Sequence, residues 1–254
     1  MRRPDGRIGS GAAPASGYPR PVLVLALDTA TPAVTVALAE VGADAVAAGA
    51  VNVLAVRVGV DARRHGELLG PAVRDVLAEA TIEPRDLAAV AVGLGPGPFT
   101  GLRVGLVTAA ALADALGIPA YGACSLDAIA GRPGVPLLVA TDARRHEVYW
   151  AAYDADGVRP AGPAVDRPAE LAAMLAEPRL AGLGLAAMAG AGAERYAEVL
   201  GLPLRGPAYP DPGALVRLVA DRVRAGAPAD PLTPLYLRRP DAEMPGRAKP
   251  VLQA

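Results

Sequence analysis

Apolar and polar positions along this chain repeat in a fixed order of strands and helices. Val22 to Leu27 is an unbroken apolar run closed by Asp28, the pattern of a buried strand with a polar stop. Thr29 to Pro32 supplies turn residues, and Ala33 to Ala39 resumes as a strand. Gly42 and Asp44 turn the chain again, and a third strand is expected within Ala45 to Val58. Together these predict an antiparallel meander. Leu68, Leu69, Ala72, Val73, Val76 and Leu77 then recur at helical spacing, opposite Glu67, Arg74, Asp75 and Glu79. Pro71 inside that pattern predicts a kink, or the start of the helix's main part. Leu87 to Val92 reads as a fourth strand, followed by GLGPGPFTGLRVG over residues 93–105. Thr100 is the expected N-cap of a helix over 101–116, which Gly117 and Pro119 end.

The order then begins again. Pro136 to Thr141 is an apolar strand closed by Asp142, residues 143–145 form a turn, and Glu147 to Tyr153 is a strand. Asp156-Gly157 signals a turn, Ala169 to Leu175 a helix, and Leu183 to Ala189 a strand. The Gly-Ala-Gly-Ala stretch at 190–193 leads into a helix from Glu194 to Leu200. Placing Asp28 on Asp142 also puts Val34 on Val148 and the Gly42 turn beside Gly157. Two copies of βββαβα are therefore legible, with a further helix at Asp211 to Arg224 and a short closing segment at 234–240. A duplicated α/β pattern of this kind resembles the actin-like ATPase (RNase H-like, ASKHA) fold. The resemblance implies subdomains over 21–120 and 121–238, while a basic stretch rich in Gly, Pro, Ala and Ser reads as a disordered extension over 1–20 and a polar, Pro-containing stretch as a loose tail over 239–254. The resemblance also places Asp28, Thr29, Gly95, Gly97, Asp142, Gly190 and Gly192 at the positions of that superfamily's nucleotide site.

Composition narrows the chemistry. The 254 residues suffice for a sizeable core, with 52% hydrophobic and 20% charged residues, a globular balance rather than a disordered one. The net charge of −1 announces neither a nucleic-acid nor an anionic-membrane surface, and the arginine pairs at 63–64, 144–145 and 238–239 read as solvated faces. Lone Cys124 supports no disulfide and reads as a small core residue. His65 and His146 lack any metal-binding spacing, and His146 and Glu147, adjacent in a strand, point to opposite faces. No apolar stretch of membrane-spanning length escapes a charge or a proline, so a cytoplasmic protein without membrane contact is expected.

The glycine-rich loop has the outline of a phosphate cradle without its parts. It carries no lysine, its Gly95, Gly97 and Gly101 miss the dinucleotide spacing, and Pro96 and Pro98 each delete an N–H. Tight turning and close helix packing account for the glycines better than catalysis on phosphate does. Arg103 lies in the first turn of the following helix, where the dipole disfavours a cation, so an acidic neighbour or a bound anion is expected beside it. Asp28, Asp142 and Asp127 can ligate Mg²⁺ in principle; the first two serve equally well as turn residues.

The motifs LALDTAT, RRHGELLGPAV, GLGPGPFTGLRVG, ATDARRHEVYWAAY, GAGAERY and PLYLR occur in that order between Val22 and Arg238. In this they resemble the TsaB (YeaZ) family, although Pro98 stands where that family has a small hydroxyl residue. The resemblance implies a non-catalytic partner of a TsaD-like threonylcarbamoyl transferase in forming N6-threonylcarbamoyladenosine at position 37 of tRNA. It implies a TsaE-like ATPase as a further partner, a homodimer when alone, and tRNA contact only through the complex. No cofactor is required, while weak ATP or ADP binding is allowed. The transferase's His-x-x-x-His pair falls on Ser125 and Ile129, which cannot form that metal site. The helix over 101–116 is apolar nearly all round, so an interface is expected over Leu68, Leu69, Ala72, Val73, Val76, Arg103, Val104, Val107, Thr108, Ala111 and Leu112.

Overall fold

The computed structural model describes residues 21–42 and 51–238. The expected extension over 1–20, the tail over 239–254 and the Asp44 part of the second turn lie outside the described residues. The first half runs β1 (Val22–Asp28), β2 (Ala33–Val41), β3 (Val51–Val60), α1 (His65–Glu79), β4 (Leu87–Gly93), α2 (Phe99–Leu116) and β5 (Ala120–Ala123). A short α3 (Ser125–Ala130) leads into the second half. That half comprises β6 (Leu137–Asp142), β7 (Val148–Tyr153), β8 (Ala161–Asp166), α4 (Pro168–Leu175), α5 (Pro178–Ala181), β9 (Ala187–Ala189), α6 (Ala191–Arg195) and α7 (Ala197–Leu200). Helix α8 (Pro212–Arg224) follows.

The two sheets share one topology. The first has the order β3-β2-β1-β4-β5 and the second β8-β7-β6-β9. In each, the first strand pairs antiparallel with the second and parallel with the fourth, as in Asp28 opposite Thr35 and Leu27 beside Val92. This is the duplicated actin-like architecture that the strand and helix order predicts. Burial on both faces explains why β1, β2 and β7 read as continuous apolar runs rather than alternating ones.

On one face of the first sheet, Leu25, Leu27, Val36, Leu38, Val90 and Val92 pack against Leu69, Val73 and Val76 of α1 and Leu102, Leu106 and Ala109 of α2. On the other, Val24, Ala26, Ala39, Ala89 and Ala91 are covered by Leu215, Val216, Val219 and Val223 of α8. Helix α8, which follows the second half, thus completes the core of the first. Asp211 caps it, accepting the Gly213 N–H at 2.8 Å. Helix α2 is long and apolar enough to cross a membrane, but its buried stripe of Leu102, Leu106 and Ala109 lies on this sheet.

Beyond α8 the chain doubles back as a strap. The Asp230 N–H bonds the Ala120 carbonyl at 3.0 Å, and the Asp230 carboxylate accepts the Gly122 N–H at 3.1 Å. The free edge of β5 is thereby paired, which protects it from pairing with another chain. Farther on, the Leu235 N–H donates to the Leu94 carbonyl at 2.8 Å and Arg238 pairs with Glu147, so the strap spans both halves.

Several boundaries differ from the pattern reading. Helix α2 starts at Phe99 after Pro98, and no side chain caps it, so Thr100 is not the N-cap but a residue inside the first turn. Helix α1 continues through Pro71, whose missing N–H falls on the exposed side. The strand expected from Leu183 is confined to Ala187–Ala189, and the helix expected from Glu194 is broken at Tyr196 into α6 and α7.

Candidate functional site

The turn after β1, the glycine-rich loop after β4 and the start of α3 meet around Asp28. Its side chain is buried, with 1% of its surface exposed. One carboxylate oxygen accepts the Ala30 N–H at 2.8 Å and the other accepts the Ser125 hydroxyl in a short contact. Ser125 Oγ in turn accepts the Gly95 N–H at 3.1 Å, and the Ser125 N–H donates to the Gly95 carbonyl at 2.8 Å. Burial pushes the Asp28 carboxyl up to about 6, against the opposing pull of the Ser125 and Ala30 bonds and the nearby His65. Thr29 Oγ1 donates to the Gly101 carbonyl at 2.7 Å and accepts the Gly105 N–H at 2.9 Å, tying the turn to α2.

The glycines exist for close approach. A Cβ on Gly97 would lie 2.1 Å from the Ala30 carbonyl oxygen, and one on Gly190 would lie 2.1 Å from the Ala140 carbonyl oxygen. Both loops are therefore filled at close range by the chain's own backbone, the first by the turn after β1 and the second by β6 itself. At Gly95, φ of +88° also places the backbone where side chains are disfavoured. Gly192 also packs closely, with the Thr141 carbonyl carbon 2.7 Å from where a Cβ would stand.

The three aspartates do not converge. Asp142 meets Arg195 at 3.2 Å, and Asp127 accepts from Tyr153 and Arg159, both at 2.8 Å. Among the described residues no group of three His, Cys, Asp or Glu side chains is placed to hold a metal. Cys124 is buried at the start of α3, and desolvation, followed by the Asp127 charge, pushes its thiol up to about 12. It is an inert core residue, as its isolation in the sequence suggests. His146 is exposed at the β6–β7 hairpin.

Between the two halves lies a cavity of about 160 Å³. Thr29, Thr31, Arg63, His65, Thr100 and Gly101 line it from the first half, and Asp142 and Arg144 from the second. His65, 8% exposed, bonds the Thr31 carbonyl through Nε2 at 2.8 Å. No local pattern reveals this role for His65, because its partner is a backbone oxygen of a distant turn.

The outer face of α2 is apolar and open. Val107 is 66% exposed and Phe99 54%, and Ala111 is exposed beside them. No acidic partner meets Arg103 among the described residues; its guanidinium lies 3.9 Å from the centre of the Phe99 ring, whose negative face takes that place. Phe99 stacks in turn on Tyr236 of the strap, with centroids 5.5 Å apart.

A family model described as TsaD, tRNA N6-adenosine threonylcarbamoyltransferase, matches residues 57–201. The chain is 50% identical over 222 residues to an uncharacterized protein of Mycobacterium tuberculosis, covering 87% of this chain and 93% of that one. To the Escherichia coli protein named tRNA threonylcarbamoyladenosine biosynthesis protein TsaB it is 36% identical over 138 residues, covering 52% of this chain and 55% of that one. Its fold superposes on YeaZ from Pseudomonas aeruginosa with a TM-score of 0.65 and 30% identity, over 85% of this chain and 100% of that one. The chain belongs to the TsaB/YeaZ family. In this TsaB/YeaZ chain Ser125 and Ile129, 0% and 2% exposed, are core positions, Ser125 bound to Asp28 and Ile129 in an apolar cluster. Of the expected interface positions, Leu69, Val73 and Val76 also belong to the core, since they face the sheet rather than the surface. Leu68, Ala72, Val104, Thr108 and Leu112 are half-buried, while Arg103, Val107 and Ala111 are exposed.

Proposed function

We propose that this TsaB/YeaZ chain is a non-catalytic subunit that docks a TsaD-like transferase through the outer faces of α1 and α2 and so supports formation of N6-threonylcarbamoyladenosine in tRNA. The observation that carries the reading is the open apolar face of α2, with Val107 at its centre at 66% exposure. Phe99 and Ala111 extend it, and a surface helix without a partner normally keeps a polar outer face. Without the transferase the same face pairs with its copy as a homodimer. A TsaE-like ATPase completes the system, tRNA is met through the assembly, and ATP or ADP is not needed by this subunit. A cytoplasmic location fits these partners.

The competing reading, a nucleotide-dependent enzyme, fares less well. Asp28 is committed to Ser125 and Ala30, and the Gly97 and Gly190 crossings are filled by backbone. Ser125 and Ile129 supply no metal pair where the transferase has two histidines.

Reconstitution tests the proposal. Transferase, ATPase, tRNA, threonine, bicarbonate and ATP are combined with or without this chain, and modified adenosine is measured by mass spectrometry. The wild-type chain is expected to raise product at least about tenfold. Val107→Glu, which puts a charge into the apolar contact, is expected to abolish that gain and to split the complex on gel filtration while the chain stays folded. Equal product without the chain, brisk ATP turnover by the chain alone, or an intact complex with Val107→Glu would each overturn it.

A further inference from the structure

We propose that the outer edge of β3 pairs with the same edge of a second copy of this chain, antiparallel about a two-fold axis at Val58. Strands β3, β5, β8 and β9 end the two sheets, and the last three edges are closed or blunted. The strap pairs β5, Gly162 and Pro163 interrupt β8, and Pro203 and Arg205 bond Met188 of β9. Strand β3 pairs with β2 alone among the described residues.

The backbone along this edge has a fixed direction. The Asp61 N–H bonds the Pro32 carbonyl at 3.0 Å, so Asp61 turns inward, toward β2. Antiparallel strands alternate residue by residue, so Val60, Val58 and Val56 turn their N–H and C=O groups outward. The Val56 carbonyl, free of β2, accordingly takes the Arg57 side chain at 2.8 Å. The valine side chains share the face opposite α1, since Arg57 between them reaches Glu79 of α1. Val56 is 40% exposed, and Val58 and Val60 are 56% exposed. A β-branched edge with no proline and a single charge is the kind that invites another strand.

The charge pattern selects a second copy in one register. Outward residues meet outward residues, so Val58 faces Val58 and Val56 faces Val60 of the other copy. The valines then form an apolar ladder held by about six backbone bonds. On the opposite face Arg57 stands across from Gly59, which leaves it room, and diagonal to Asp61, which carries the opposite charge. Moving the axis to Arg57 sets two arginines face to face. Moving it to Val56 brings Val58 against Leu54, where β3 bulges, and moving it to Gly59 carries Val56 past the end of the other strand. The pairing makes no use of the outer face of α2, so its failure would leave the docking reading intact.

Sedimentation equilibrium on the full chain tests it, in the Val107→Glu variant so that pairing through α2 does not contribute. A mass that rises with concentration from monomer to dimer is expected. Val58→Pro removes an outward N–H without touching the β2 ladder, and Val58→Lys sets like charges at the axis. Each should weaken dimerisation at least about tenfold, and the lysine variant decides if the proline one lowers the melting temperature. Under mild oxidation Val58→Cys should couple to itself, whereas Val60→Cys should couple only to Val56→Cys; buried Cys124 stays silent. A Val107→Glu chain that is monomeric throughout, undiminished dimerisation in Val58→Lys, or equal self-coupling at positions 58 and 60 would overturn the proposal. So would slow hydrogen exchange at the Val58 amide in the dilute monomer, because another part of the chain would then hold the edge.

Discussion

At the residue scale, Asp28 joins three chain segments that the sequence holds far apart. Its raised pKa makes stability depend on pH. The folded chain holds the proton up to about 6, against an ordinary value of 3.8. The contribution is therefore full below about 3.8 and is lost as pH rises through about 6. Thermal melts of the wild type and Asp28→Asn between those pH values should show the wild type losing ground to the variant, by on the order of 3 kcal/mol. Parallel pH profiles would contradict this. Ser125→Ala strands both the carboxylate and the Gly95 N–H, and should cost about 2–3 kcal/mol in urea unfolding. The polar stop at Asp28 was legible in the sequence. The bond to Ser125 was not, because it closes across 97 positions and no local pattern encodes it.

Among the elements, those with strong periodicity or long apolar runs were legible: β1, β2, β4, β6, β7, α1, α2, α4 and α8. The rest carry little contrast. Strand β5 is four residues long, Ala120–Ala123, and gains its place by pairing with β4 on one side and with the strap on the other. Strand β8 contains Gly162 and Pro163, a pair more usual in turns, yet it is an edge strand, where proline is tolerated. Residues 183–186 are apolar like a strand but lack a ladder, since β9 pairs with β6 only from Ala187. Helix starts separate capping from composition. Asp211 bonds the Gly213 N–H, so Asp211→Ala should cost about 1 kcal/mol, whereas Thr100→Ala should stay within about 0.5 kcal/mol because no cap bond is lost. Chemical denaturation of the two variants checks the order, and a larger loss at Thr100 would restore it as a cap.

Across the whole molecule, the halves are linked by the strap and by α8. Asp230 holds the Gly122 N–H and pairs with Arg222, which also bonds the Gly122 carbonyl at 2.9 Å. Asp230→Ala should cost about 2 kcal/mol and speed hydrogen exchange at Gly122 while leaving the β6–β7 amides unchanged. Uniform acceleration would mean that the strap stabilises the fold as one unit rather than the β5 edge. The placement of α8 also has a consequence for synthesis. Ribosomes make the strands of the first sheet early, but Leu215, Val216, Val219 and Val223, which cover one of its faces, arrive near the end. For most of translation Val24, Ala26, Ala39 and Ala91 have no lid, and the nascent sheet depends on chaperones or on sheer speed to avoid sticking to its neighbours.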